Sequence, residues 1–517
     1  MKAKTRLLTL AVAGALLLFS CKSNTPGNSA YGGQGGGRND GKFYAQNLVN
    51  NTFYSLYADL LYENEFCKVW AERSKGITIA QAKDAADAYK DLIYPKMLNT
   101  FGAPFDLIID PGPPPITKPV NTIELADYLG DEDGKLCILL LEIKDGWSTA
   151  NPSLIAGYFT AYNFFAHNPM FPETWYSNEC DMIYIDTKVF PPGTVESNRV
   201  LAHELQHMMN FVTTIATRST ANSYQQMDLW IDEGLSSAAE YVVLGHSQSR
   251  IDWYTTNWDT NGGRIANGNN FFVWGNHTNI YPMAIHDDYS TVYLFFQWLR
   301  LQSKNPLLEQ ANPNIYSRIS NSAKSNYLAV TDAATLDIDS VYANNWSLLL
   351  RDWMAANHIN ASSGRYGYRG DPALILINAW PLSGSSPSYQ LAPGEGVYTS
   401  KTTMPTATEL IKYAGLPPRG SASNPNDSNT VTGGVLLSYN VNTNIRGVSS
   451  PGNPFSLETV FTETQTAANA ARGLNGQPVY SGPYVIGIGD ILGYDRQEEK
   501  IPGLDFSRLN GRITANE

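Results

Sequence analysis

The pattern of apolar and polar positions predicts two helices followed by a small set of strands. Apolar residues recur at helical spacing over 48–70 and 80–97, which predicts two amphipathic helices. A nearly continuous apolar run at 136–143 and an alternating run at 181–186 predict strands. We interpret the two helices as an N-terminal layer packed on the domain that follows, and an independent helical domain is the alternative.

A clear helical pattern begins after these strands, over 195–211, where the chain reads VESNRVLAHELQHMMNF. Further helices are predicted over 230–241, at the apolar run 292–299 and over 335–358. The stretch 245–284 is rich in Asn, Gly and Trp and reads as a long loop-like insertion. We therefore expect the middle of the chain to be mainly helical.

The composition changes after Ser362, where Gly, Pro, Ser and Thr become frequent. Short alternating stretches at 435–441 and 484–488 predict strands in this tail. Five prolines within 111–119 predict a stiff connector, followed by a short helix at 122–129. The resulting segments are a leader at 1–20, a Gly/Asn/Ser-rich tether at 21–41, a helical region at 42–120, a central domain at 121–362 and a β-rich accessory domain at 363–517.

The leader carries three basic residues, Lys2, Lys4 and Arg6, before an apolar run at 7–19 that is too short to remain in a bilayer as a spanning helix. It ends in Leu-Phe-Ser-Cys, which resembles the lipobox of bacterial lipoproteins and makes Cys21 the acylated residue. Plain secretion is the alternative. The leader predicts a lipid-anchored protein of the bacterial cell envelope, held to the membrane through its N-terminus.

Charge and cysteine content exclude several classes of function. The net charge of −12, without long acidic runs, argues against nucleic-acid binding. Three cysteines remain beyond Cys21, namely Cys67, Cys137 and Cys180, and both three thiols and one disulfide with one thiol fit this number. No C-x-x-C pair is present, so a metal site built from cysteines is not expected.

The candidate chemistry lies in the helix predicted at 195–211. His203, Glu204 and His207 form the pattern H-E-x-x-H, with two histidines four residues apart. This spacing is about one helical turn, so both imidazoles project from one face and can bind the same metal ion. Glu204 is placed to take a proton from a metal-bound water.

A catalytic zinc site needs a third protein ligand and leaves one position for water. Glu233, in the next predicted helix, is the candidate. Glu240 lies two turns further along the same helix face, where its carboxylate can hold His203 or His207 through the second ring nitrogen. A helix N-terminal carboxylate without a metal is the alternative for Glu233.

The two segments H-E-L-Q-H and W-I-D-E-G-L-S resemble the gluzincin metallopeptidases, and within that group the chain is similar to the hyicolysin family of secreted bacterial metallopeptidases. The matching text runs from about 135 to 358 and includes CILLLEIKDG, AGYFTAYN, NECDMIYIDT, DDYSTVYLFFQWL and LLLRDWMAANHI. Asp232 stands where many gluzincins have Asn, next to the third ligand. The Gly-x-Met-Glu-Asn segment of the related aminopeptidases is absent.

The resemblance implies an α+β fold with a zincin-like catalytic domain, which has a mixed sheet, the H-E-x-x-H helix and a helical lower half. It implies a zinc endopeptidase acting on proteins or peptides, with one Zn²⁺ held by His203, His207 and Glu233. Gluzincins also use a Tyr or a His to stabilise the oxyanion of the reaction. Tyr289 aligns with a tyrosine that opens a similar helix in the relatives, and His286 is the second choice.

Two other functions compete with this interpretation. A surface lipoprotein or adhesin would use the same fold as a binding scaffold, although such a scaffold has no need of all three ligands and the base. An aminopeptidase would require recognition of a free substrate terminus. Co²⁺ and Mn²⁺ also suit a site of two histidines and one glutamate, and zinc is favoured by precedent and availability.

Overall fold

The computed structural model describes residues 41–102, 135–146, 155–164, 175–220, 223–255, 269–274, 285–308, 313–377, 393–401, 434–439, 443 and 499–500. The leader, Cys21, the tether, the proline-rich connector with the helix expected at 122–129, and the strand expected at 484–488 lie outside the described residues. In the part that is described, no helix is both long enough and apolar enough to cross a membrane.

The described chain is a mixed α and β protein with a six-stranded main sheet. Its strands are β1 (Lys42–Asn47), β2 (Thr52–Glu63), β3 (Cys67–Glu72), β4 (Leu136–Leu141), β5 (Gly157–Phe159) and β6 (Met182–Asp186). They lie in the order β1-β2-β3-β4-β6-β5. Antiparallel pairing joins β1, β2 and β3, parallel pairing joins β3, β4 and β6, and β5 runs antiparallel to β6.

The helix predicted over 48–70 is wrong, because these residues contain β2 and the first four residues of β3. Asn51 has a φ of 56°, a left-handed turn conformation that Asn tolerates and that reverses the chain between β1 and β2. Leu56 and Ala58 are buried on one face of β2, with exposed Tyr57 between them. Aromatic residues in this segment also favour a strand. The buried positions here repeat every two residues rather than every 3.6.

The second helix of the N-terminal region is confirmed in a modified form. It consists of α1 (Ile79–Ala88), a π-helical turn (Tyr89–Ile93) and α2 (Tyr94–Phe101). Thr78 accepts a hydrogen bond from the Gln81 backbone N–H, and the Gln81 side chain accepts one from the Thr78 backbone N–H, so a capping box starts α1. Residues 42–120 are therefore not a helical region throughout, since their first strands extend the main sheet.

The two strands predicted at 136–143 and 181–186 are confirmed as β4 and β6. Every residue of both strands is buried, which explains why β4 shows a continuous apolar run rather than alternation. The helix α3 (Val195–Arg218) packs against β5 and β6. The three cysteines near the start of β3, β4 and β6 are buried, and burial raises the pKa of Cys67 to about 12.

The described residues form two compact units. The first contains the chain up to Met227 together with Ala239–Gly245, and includes residues 499–500. The second contains Asp228–Ala238 and the described residues from His246 to 443. The helix α4 (Leu229–Leu244) is continuous and contributes residues to both units.

The second unit is mainly helical around a core of aromatic side chains. Its helices after α4 are α5 (Gln248–Thr255), α6 (Ile285–Gln302), α7 (Ile315–Ser320), α8 (Tyr327–Asp337) and α9 (Trp346–Ile359). The ring of Trp230, from α4, packs against the rings of Phe271, Phe295 and Trp346 at centroid distances of 5.4, 6.2 and 5.1 Å.

The structure differs from one helical and one loop prediction in this unit. The single helix expected over 335–358 is wrong, because α8 ends at Asp337 and α9 begins at Trp346. Asn345 caps α9 by accepting a hydrogen bond from the Leu348 backbone N–H, so a start signal lies inside the apolar pattern. The stretch read as a loop-like insertion contains α5.

The remaining strands are short. In the tail, β9 (Gly396–Lys401) pairs antiparallel with β10 (Gly434–Tyr439), which confirms the strand predicted at 435–441. A small sheet after α3 contains β7 (Ser219–Thr220), β8 (Ser223–Tyr224) and β11 (Glu499–Lys500).

Candidate metal centre

Three residues predicted as ligands converge in the structure. His203, His207 and Glu233 each offer a ligand atom, and these atoms lie within 4.8 Å of one another. The two imidazole rings stand 4.9 Å apart between centroids at an interplanar angle of 75°, because their residues are one turn apart on α3. This is the only such group found among the described residues.

Glu240 holds one of the two histidines. Its Oε1 atom lies 2.9 Å from His203 Nδ1, and both side chains are almost fully buried. A carboxylate at this position favours the tautomer with hydrogen on Nδ1, which presents the Nε2 lone pair to a metal. The sequence left either histidine as the partner of Glu240, and the structure selects His203.

Glu204 is fully buried on α3, next to His203 in sequence. Its side-chain stem runs beside Gly157 of β5, where a Cβ atom added to the glycine would lie 3.1 Å from Glu204 Cγ and 2.6 Å from Val200 Cγ1. A side chain at position 157 would therefore separate β5 from α3. The absence of a side chain at Gly157 lets the strand approach the side chain of Glu204.

Tyr289 contacts the third candidate ligand. Its hydroxyl donates a hydrogen bond to Glu233 Oε1 at 3.2 Å, and both side chains are buried. His286, three residues earlier on α6, stacks on the Trp253 ring at a centroid distance of 4.5 Å. Tyr289, the first candidate oxyanion donor, therefore contacts Glu233 directly.

Asp232 lies in the first turn of α4, immediately before Glu233. It is not a member of the group whose ligand atoms converge. The glycine that follows Glu233 has a packing reason, because a Cβ at Gly234 would come within 2.3 Å of the Phe296 ring on α6. Gly234 thus lets α4 lie close to α6, and this closeness brings Glu233 to Tyr289.

Sequence reasoning missed Arg250. Its guanidinium lies over the Tyr289 ring at 4.4 Å from the centroid and over the Trp253 ring at 4.9 Å. Arg250 belongs to α5, in a segment that reads as a loop, and no motif surrounds it. The one usable signal was an arginine and a tryptophan three residues apart, which share a helix face once the segment is helical.

The donor atoms suit a borderline transition metal. Two imidazole nitrogens and one carboxylate oxygen bind zinc readily and also accept cobalt or manganese, so the donor set suits a metal ion but does not identify which one.

Burial raises the pKa values of Tyr158 and Tyr184, on β5 and β6, above the usual phenol value. These two phenols therefore stay neutral at a pH where an ordinary tyrosine ionises.

No protein-family model matches the chain, and a search of curated proteins finds none that matches it. The family expectation from the sequence motifs therefore stays a prediction.

Proposed function

We propose that this chain is a zinc-dependent metalloendopeptidase of the gluzincin type, with a zincin-like domain that hydrolyses internal peptide bonds of proteins or peptides. The observation that carries the proposal is the convergence of His203, His207 and Glu233, with the buried carboxylate of Glu204 on the helix that supplies both imidazoles. These three ligands would hold one zinc ion. A set of three protein ligands is typical of catalytic zinc, because it leaves a position for water.

When bound, zinc supplies Lewis acidity, which lowers the pKa of water at the site to about 7. Glu204 is assigned as the general base: its carboxylate takes a proton from the attacking water as the oxygen bonds to the peptide carbonyl carbon. Glu204 then gives this proton to the amide nitrogen as the C–N bond breaks, so the amine leaves in neutral form.

Tyr289 is assigned as the donor to the carbonyl oxygen, which gains negative charge during the attack. The contact between its hydroxyl and Glu233 supports this role, because it places the phenol beside a ligand of the proposed metal. To take this role, the hydroxyl turns its single O–H from Glu233 Oε1 to the carbonyl oxygen, where a buried donor stabilises the developing charge.

The outermost strand β5 is the candidate for substrate binding. It is the last strand of the six-stranded sheet on the side of β6, and it packs on α3 beside Glu204. An extended peptide can add to such a strand by main-chain hydrogen bonds, which carry little sequence preference. This is consistent with cleavage of unfolded proteins.

The first test combines metal content with proteolysis. We expect one zinc per chain by elemental analysis, and chelator-sensitive cleavage of casein at internal bonds. Glu204→Gln should keep the zinc and lower the turnover by about 10²–10⁴-fold, since it removes a general base. Glu196→Gln is the matched control, because Glu196 lies in the first turn of the same helix with a side chain 48% exposed.

A chain that binds no zinc and cleaves nothing after addition of Zn²⁺ would contradict the proposal. Loss of zinc in Glu204→Gln would instead show that this carboxylate builds the site. Binding of another protein that survives removal of His203 and Glu204 would support the surface-binding alternative.

We also propose that the protein is exported and anchored at the bacterial cell envelope through a lipid on Cys21. The basic and apolar pattern of the leader supports this. Cys21→Ser should abolish incorporation of labelled palmitate and release the protein from the membrane fraction. Unchanged membrane association of that variant would contradict the anchor.

A further inference from the structure

We propose that Arg250 is a positioning residue of the metal site, which acts by holding Tyr289 against Glu233. The inference rests on the metal site proposed above and adds a residue that belongs to no recognised motif. It concerns α4, α5 and α6 within the second unit of the chain.

Tyr289 is held from two directions. The Arg250 guanidinium covers one region of its ring at 4.4 Å, and the Trp274 ring meets it edge-on at 5.0 Å and 89°. Arg250 is only 2% exposed, so its contact with the ring is largely desolvated. A cation over an aromatic face is attracted more strongly under these conditions than at an exposed site.

The helix that carries Arg250 is itself attached to α6. Just before α5, His246 Nδ1 lies 2.9 Å from the Tyr293 hydroxyl oxygen, which also accepts a hydrogen bond from the Ser247 backbone N–H at 3.1 Å. Within α5, the Trp253 ring stacks on His286. Arg250 lies between these attachments, so its position over Tyr289 is defined by contacts on both sides.

The consequence for the metal site follows from the Tyr289 hydroxyl. Its hydrogen bond engages Oε1 of Glu233 at 3.2 Å and so orients the carboxylate. Partners of this kind keep a ligand in its binding orientation, and their loss lowers metal affinity about 10–100-fold. The positive charge over the ring also draws electron density from the phenol, which strengthens its O–H as a donor. Arg250 thus acts on Glu233 through Tyr289.

A double-mutant cycle on zinc affinity tests this chain of contacts without any assay of activity. Zinc affinity is measured by chelator competition for the wild type, Arg250→Leu, Tyr289→Phe and the double variant. We expect each single change to weaken zinc binding about tenfold. The double variant should bind zinc no more weakly than Tyr289→Phe alone, because Arg250 has nothing left to position. Arg250→Lys keeps the charge and should recover part of the loss.

Arg73→Leu is the control, because Arg73 also lies over a tyrosine ring, that of Tyr57 at 5.3 Å, in the other unit of the chain. It should leave zinc affinity unchanged. Each variant is checked for its native fold by near-ultraviolet circular dichroism, and Arg250→Gln replaces Arg250→Leu in the cycle if the latter does not fold.

Losses that multiply in the double variant, or an Arg250 variant with unaltered zinc affinity, would overturn the role of Arg250 while leaving the metal site intact. Absence of zinc binding in the wild type would overturn both this inference and the proposed function.

Discussion

The close approach of β5 to α3 at Gly157 gives a sharp prediction. In Gly157→Ala the new Cβ would lie 2.6 Å from Val200 Cγ1, 3.0 Å from the Tyr184 carbonyl oxygen and 3.1 Å from Glu204 Cγ. Carbon atoms in contact normally stand about 3.5–4.0 Å apart, so the strand and the helix must separate by about 1 Å.

Two costs follow from this separation. Overpacking of a buried site destabilises by about 1–3 kcal/mol. A displacement of about 1 Å at a reacting group lowers the rate about 10²-fold, and Glu204 is the group beside the new methyl. We therefore expect Gly157→Ala to lose activity by more than its stability loss explains, while zinc content stays at the wild-type value.

The assay combines urea unfolding, zinc content and casein hydrolysis at a temperature where the variant remains folded. Val200→Ala removes the nearest clashing atom. The double variant Gly157→Ala/Val200→Ala should therefore be more stable than the sum of the two single changes predicts, by about 0.5–3 kcal/mol. A Gly157→Ala protein with wild-type stability and turnover would refute the reasoning, because β5 would then not need its close contact with α3.

Three further expectations can be checked separately. Glu240→Gln removes the charge beside His203 and should weaken zinc binding about 10–100-fold in chelator competition; unchanged affinity would show that Glu240 does not orient the imidazole. Gly234→Ala places a Cβ within 2.3 Å of the Phe296 ring and should lower the free energy of unfolding by about 1–3 kcal/mol in urea, partly restored by Phe296→Leu. Burial raises the pKa of Asp186 from 3.8 to about 6, so its contribution to stability is fully present below pH 4 and is lost as pH rises through 6. Asp186→Asn should remove up to about 3 kcal/mol of this pH dependence between pH 4 and 7, and a pH profile identical to that of the wild type would contradict the shift.

The sequence correctly predicted the elements whose pattern of apolar positions fits only one type of secondary structure. β4 and β6 are buried on both faces, and α3 shows apolar positions at helical spacing over several turns. The hairpin of β1 and β2 was missed because short aromatic segments fit both periods, and the left-handed turn at Asn51 is visible only in the folded backbone. The break between α8 and α9 was missed because a cap within an apolar stretch carries less weight than the stretch itself.

The candidate ligands were also accessible from the sequence. Residue type and spacing alone indicate a metal site when two histidines lie four residues apart and a glutamate follows. Arg250 contacts Tyr289, 39 positions away, and Gly157 lies against Val200, 43 positions away. Neither an arginine nor a glycine is unusual by itself, so these contacts are visible only in the folded structure.

The three N-terminal strands lie at the edge of the main sheet opposite the candidate substrate strand. If residues 48–70 were helical, the sheet would contain only β4, β6 and β5. In the structure, β1, β2 and β3 extend the sheet beyond β4. The sheet therefore grows on the side away from β5, and among the described residues β5 remains the outermost strand beside α3. Because an outer strand can pair with an extended peptide, the position of the hairpin preserves the strand that the proposed reaction needs.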